Sequence, residues 1–360
     1  MPSRIHSLAE SDVADFAFGC ALLGTGGGGS VGGSALELAH AIREFGPVPV
    51  VELSELPADG LIMPLSGVGA PTVSYEMLNN GGEAAAVRAA VEKEYGAKVV
   101  AVLASEIGGG NGVDAAMWAS RLGLPLVDAD AMGRAFPEVQ MVSFYVTGAA
   151  TTSLTMADFQ GNVATFRPAN GTWSEPLARA FSVACGGTAL MSDYVMTAAE
   201  MQGKVVLGSI SNSVALGRAA RGSADPVGAI QRELDAFHLI SGKVTELERR
   251  TGGGFVRGSF SLDGTGDDKG RTVRIEIQNE NLVALEGSRV LATVPDLITL
   301  VDTQTGVAIA TEELMHGMRV SALAWACDPL WRSERGIDTA GPRAFGYDLD
   351  YTPIEELHRA

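Results

Sequence analysis

The stretch KVVAVLASEIGGGNGVDAAMWASRLGLPLVDAD (98–130) decides the fold. Its opening run, KVVAVLAS (98–105), is apolar, Val-rich and short, and polar turn residues bound it, which predicts a buried strand. Residues 112–122 place apolar side chains at helical spacing and run into Gly123. LPLVDAD (124–130) then reads as a second buried strand that ends in two acids. Strand, helix and strand in succession describe an alternating α/β unit.

Working outward, GEAAAVRAAVEKEYG (82–96) predicts a helix with its Gly stop, and GLIMPLSGVG (60–69) and PVPVVEL (47–53) predict strands. Ser7 and Glu10 have capping-box spacing before Val13, Phe16, Ala17, Cys20 and Leu23, so residues 8–23 predict a helix ending at Gly24. Downstream, MVSFYVTG (141–148) reads as a strand, and residues 154–156 and 162–166 as a hairpin. Two helical patterns follow, 173–202 with a break at Cys185, Gly186 and Gly187, and 209–241, before a strand-rich run to residue 327. The expectation is an α/β chain of two domains: an N-terminal α/β domain with Gly-rich loops over 8–168 and a C-terminal α+β, strand-rich domain over 173–355. A chain of 360 residues with 46% apolar side chains has the material for two cores.

The formal charge of −17 argues against a nucleic-acid groove or an anionic membrane surface, since both require clustered Lys and Arg. Three cysteines at wide spacing fit neither a disulfide framework nor a Cys-based zinc site, and indicate a reducing compartment. Asp12 and Asp15 interrupt the N-terminal apolar stretch, and no other run is long enough to span a bilayer. These features place the chain in the cytoplasm. The 45 glycines and sparse surface charge favour a homo-oligomer.

Three clusters carry chemistry. The run Gly24-Thr25-Gly26-Gly27-Gly28-Gly29 satisfies GxGxxG formally, but a predicted helix, not a strand, enters it, so no NAD is expected. Amides of Gly26, Gly27, Gly28 and Gly29 can instead cradle an anion, although a plain helix stop reads the same way. Glu106, Gly108, Gly109, Gly110 and Asn111 follow a strand, where open α/β sheets collect ligands, and offer an acid, an amide and exposed backbone together. Asp128, Asp130, Arg134 and Glu138 form the densest ionisable group. The two aspartates lie on one side of a continuing strand, so they are candidate ligands for a divalent metal, zinc or similar, or partners in acid–base work. Arg134 is placed to grip a substrate carboxylate or to neutralise the acids, and Asp130 alternatively caps a helix. Cys185 beside two glycines is a candidate nucleophile or a buried small apolar residue. Five histidines without HxH or HExxH spacing supply no zinc motif, and His238 and His316 read as helix-end or packing residues.

The strings LLGTGGGGSVGG (22–33), GAPTVSYEML (69–78), SEIGGGNG (105–112), VDADAMGRAFPEVQM (127–141), VPDLITLVDTQTG (294–306) and GPRAFGYDLDYTPIE (341–355), in this order, resemble the S-methyl-thiohydantoin desulfurase family over about residues 8–355. Ser30 stands where relatives often carry an acid. The resemblance implies a role in thiohydantoin or hydantoin catabolism, and a hydantoinase- or oxoprolinase-type protein partner.

On that basis the expected reaction is hydrolytic desulfuration of a thiohydantoin or S-methyl-thiohydantoin ring to a hydantoin, with sulfide or a thiol released. Asp128 or Asp130 would activate water directly or through the metal, Glu106 or Glu138 would protonate the leaving group, and the glycine amides would stabilise the tetrahedral intermediate. Asn111 and Arg134 would hold the ring, and Cys185 is the nucleophile of a covalent variant. The alternatives are a non-catalytic hydantoin-binding subunit and a cyclic imide or lactam hydrolase.

Overall fold

The computed structural model describes residues 3–69, 73, 77–252 and 255–359; most of the GAPTVSYEML string therefore lies outside the described residues. Four strands form a parallel core in the order Val48–Val51, Leu126–Asp130, Val99–Ala104 and Leu61–Gly69. The helices Glu83–Tyr95 and Gly110–Leu122 make the crossovers, and both end at a left-handed glycine, Gly96 and Gly123. The sheet continues antiparallel from Leu61–Gly69 through Thr188–Ser192 to the hairpin Leu154–Ala157/Val163–Phe166. Strands buried on both faces explain the continuous apolar runs that made them legible.

The second half contains a seven-stranded antiparallel sheet curled around its own core of Leu239, Phe260, Ile275, Ile298 and Ala322. The two parts are not joined by a linker alone. Helix Val13–Leu23 packs on helix Ser209–Ala220 at contacts that admit no Cβ: one built at Gly19 would lie 2.1 Å from the Ser213 carbonyl oxygen. Strand Thr188–Ser192 belongs to the first sheet although it follows the expected boundary.

Several elements differ from the sequence reading. Residues 141–148 contain the short helix Ser143–Val146 rather than a strand. Val206–Leu207 pairs with Asp130 and Ala129, while Ser143 donates its amide to Ala131 O and its hydroxyl to Lys204 O. The first helical pattern stops at Ala184; Gly186 and Gly187, both at positive φ, turn the chain into the strand Thr188–Ser192. The second divides into Ser209–Ala220 and Pro226–Leu234 before a long strand starts at Phe237. Ser7 pairs with Pro49 in a short strand, so the first helix starts later, at Val13. The glycine run also leads into an unforeseen helix, Val31–Phe45. Among the described residues no helix is long and apolar enough to cross a membrane.

Candidate active site

A cleft of about 230 Å³ opens at the C-terminal ends of strands Leu61–Gly69 and Val99–Ala104, the end where open α/β sheets bind ligands. Its wall sets Leu65, Val68, Trp118, Phe136 and Val139 among polar side chains, and burial sets the electrostatics of the acids there.

Two glycine loops build one side by packing backbone on backbone. Gly110 N–H donates to Gly29 O at 2.9 Å and Asn111 N–H to Gly28 O at 3.2 Å. A Cβ at Gly28 would lie 2.2 Å from Gly108 O, and one at Gly109 would lie 2.5 Å from the Gly28 carbonyl carbon. Both residues have positive φ, so glycine is required twice over. Gly28, Gly29 and Gly110 line the cleft; Gly26, Gly27, Gly108 and Gly109 do not. Gly27 N–H is taken by Gly24 O and Gly109 N–H by Cys20 O, whereas among the described residues the Gly28 and Gly29 N–H groups meet no acceptor.

Glu106 leaves strand Val99–Ala104 into this loop and is 6% exposed. Asn111 donates its amide to Glu106 Oε1 and accepts from Gly67 N–H at 2.7 Å, which fixes both side chains against the neighbouring strand. Glu106 Oε2 is buried and, among the described residues, has no hydrogen-bond partner. Burial pushes the Glu106 carboxyl up to about 8, the Asn111 amide opposes the shift, and the charge of Asp130 adds to it.

The second sheet supplies the facing acid. A tight reversal at Asn279, φ 58°, joins strands Thr272–Gln278 and Glu280–Glu286 and sends Glu280 into the cleft. Glu280 is 2% exposed, and its Oε2 likewise has no partner among the described residues. Gly27 makes room for it, since a Cβ there would sit 2.0 Å from Glu280 Oε1. Burial raises the Glu280 carboxyl well above the ordinary range; the nearby Glu106 raises it further, and Arg134 opposes. Asp193, at the end of strand Thr188–Ser192, lines the cleft as well, 3% exposed, and burial pushes it up to about 7. Asp114 is pushed up to about 7 by burial, with Ser34 opposing and Glu37 adding.

Of the residues singled out in the sequence, Glu106, Asn111, Gly28, Gly29, Gly110 and Glu138 come together here, and Gln140 donates to Glu138. Asp128 and Asp130 stand behind the cleft. Asp128 Oδ1 accepts from Ile210 N–H and Ser211 N–H, and Oδ2 from the Ser211 hydroxyl, so it caps helix Ser209–Ala220. Asp130 Oδ2 accepts from the amides of Ile107, Met132 and Gly133, and Oδ1 from Ser209. The two acids do lie on one side, but that side is a bed of N–H donors, which does not fit a pair of metal ligands.

Arg134 is fully buried and bolts the domains together, donating to Thr25 Oγ1, Ala135 O, Pro295 O and Asp296 O. Its guanidinium does not line the cleft; among the described residues the cation that does is Arg179, ion-paired to Glu175 at 2.8 Å. Cys185 also lies off the cleft, where burial and then Asp158 push its thiol up to about 11, the reverse of nucleophile activation. The sequence reading missed Glu280, Asp193, Asp114 and Arg179. The one signal for Glu280 was its place beside Asn279 in a short polar turn between two strand patterns.

The comparisons agree with this architecture. A crystal structure of a protein from Chromobacterium violaceum is 24% identical, with a TM-score of 0.82 over 97% of this chain and 100% of that one, and shares the fold. No curated protein matches. Residues 11–168 match the S-Me-THD-like N-terminal domain and residues 169–354 the S-Me-THD-like C-terminal domain. The chain belongs to the S-Me-THD-like family.

Proposed function

We propose that the cleft hydrolyses the carbon–sulfur bond of a thiohydantoin-type ring, S-methyl-thiohydantoin or its parent, to give a hydantoin. The observation that carries this reading is the Glu106–Glu280 pair: two buried acids, one from each domain, each with an oxygen that has no partner among the described residues, in the same cleft. Burial and mutual repulsion keep both carboxyls protonated up to neutrality, and when Glu106 ionises near pH 8 the pair keeps one proton and has an acid and a base side by side.

Glu280, held strongly protonated, is the acid. Glu106, whose ionised form the Asn111 amide favours, is the base. Water gives a proton to Glu106 as its oxygen bonds to the ring carbon bearing sulfur. The carbon–sulfur bond then breaks as Glu280 gives its proton to sulfur and takes the proton of the new hydroxyl, which becomes the carbonyl. Glu106 passes its proton to the ring nitrogen of the S-methyl substrate, releasing the thiol, or to sulfur of the parent, releasing hydrogen sulfide. Gly28 and Gly29 N–H groups serve the negative charge that develops in the tetrahedral intermediate.

The test is to incubate the protein with S-methyl-2-thiohydantoin and with 2-thiohydantoin and to assay methanethiol, sulfide and hydantoin. Sulfur release is expected, with kcat/KM rising with pH through about 8 as Glu106 ionises. Ring opening with sulfur retained would identify a cyclic imide hydrolase, and saturable binding without turnover a binding subunit; either would overturn the reading.

A further inference from the structure

The proposed acid–base pair leaves Asp193 without a role. It lies where strand Thr188–Ser192 ends beside Leu61–Gly69, Met191 being paired with Ser66. Leu65, Trp118, Leu190 and Met191 line the cleft with it, as do the polar Ser66, Ser105 and Thr188. Its side chain is 3% exposed, and Oδ2 has no partner among the described residues. A buried acceptor left so costs stability unless a ligand supplies the donor.

The backbone is strained at the same place. Tyr194, the next residue, has φ 48°, a conformation unfavourable for a bulky side chain. It is held there by burial to 1% exposure and by stacking on Phe144, ring centroids 5.5 Å apart. Backbone strain of this kind persists where the surroundings over-determine it, and it accumulates at ligand sites. Here it turns the chain one residue after Asp193, which carries the unpartnered oxygen.

We propose that Asp193 is the ring-anchoring residue of the cleft: its Oδ2 accepts a hydrogen bond from a ring N–H of a five-membered cyclic ureide or thioureide. The inference rests on the function proposed above and adds a substrate rule, that the ring nitrogen facing Asp193 carries hydrogen. An N-alkyl group there removes the donor and drives a methyl against a buried carboxyl, so it is rejected on two counts. Five-membered rings lacking an N–H at that position are excluded for the same reason.

Calorimetric titration of the protein with hydantoin, 1-methylhydantoin and 3-methylhydantoin tests this without turnover. Hydantoin is expected to bind at least about tenfold more tightly than one of the two methyl isomers, the worth of one buried hydrogen bond. In Asp193→Ala that preference should fall to about twofold or less, and in the isosteric Asp193→Asn, which keeps the side-chain volume, it should shrink while the fold is kept. Equal binding of all three rings by the natural protein, or a preference that survives in Asp193→Ala, overturns the anchoring role and leaves the desulfuration reading standing. Absence of binding by all three rings overturns the anchoring role, while the desulfuration reading stands or falls separately on sulfur release.

Discussion

Asp130 and Glu106 end neighbouring parallel strands, both are buried carboxyls, and they have opposite lives. Asp130 takes three backbone amides and the Ser209 hydroxyl. One of those amides is Ile107 N–H, next to Glu106, so the satisfied acid fixes the loop that carries the unsatisfied one. Glu106 has one oxygen held by Asn111 and the other without a partner among the described residues. Residue type and burial do not separate a structural acid from a chemical one; the supply of donors does.

The largest expected effect breaks the chemical side of that comparison. Glu106→Gln keeps the volume and the contact with Asn111 but cannot accept a proton, so kcat/KM for sulfur release should fall by about 10²–10⁴-fold. The midpoint of urea unfolding should stay unchanged or rise. A variant that keeps full activity would remove Glu106 from the reaction.

The structural side breaks the other way. Asp130→Ala orphans the Ile107, Met132 and Gly133 amides and should cost about 3 kcal/mol of stability by urea denaturation. Asp128→Ala, which strips the cap of helix Ser209–Ala220, should cost about 1–2 kcal/mol. Loss of activity in Asp128→Ala at unchanged stability would return that acid to the chemistry.

The two regions also explain what was legible in the sequence. Apolar runs and glycine stops gave the parallel core because strands buried on both faces need unbroken hydrophobicity, as in VVAVLA at 99–104. The loop of Glu106 and Asn111 was legible because it directly follows such a strand. Glu280 was not: it reaches the cleft only because a distant sheet docks on the glycine loop, through Asn281 N–H to Thr25 O and Thr311 N–H to Gly26 O. Asp193 was hidden because its strand falls inside a window with helical spacing and is defined by pairing with Leu61–Gly69. Asp128 and Asp130 were seen, but not what holds them, since no local pattern reveals that Ser209, Ile210 and Ser211 arrive to bind them. Donor supply is a tertiary property.

A smaller effect sharpens the comparison through pH. Glu106 has a folded value near 8 against 4.5 for a free glutamate, so the native state binds its proton more tightly. Its contribution to stability is complete below about pH 4.5 and is lost as pH rises through about 8. The loss has a slope approaching about 1.4 kcal/mol per pH unit where one proton separates the states. Glu106→Gln should flatten the stability profile between pH 5 and 8, measured by urea titration at fixed ionic strength. An unchanged slope would show that Glu106 is not the buried proton carrier.

The smallest effect is expected at Cys185. Its thiol lies off the cleft, and burial and the Asp158 carboxyl both favour the protonated form, with a value near 11. At neutral pH the thiolate fraction is then far below that of a free cysteine, and nucleophilic attack needs the thiolate. Cys185→Ala should leave kcat/KM within about twofold and stability within about 1 kcal/mol, because the residue is only partly buried. A loss of 10²-fold or more would place the chemistry outside the Glu106–Glu280 cleft. It would also mean that an acid neighbour, which here disfavours the thiolate, is displaced when substrate binds. That outcome can be read independently by comparing the alkylation rate of Cys185 with and without hydantoin: a rate that does not change with ligand keeps the thiol a bystander, whereas acceleration by ligand makes it a participant.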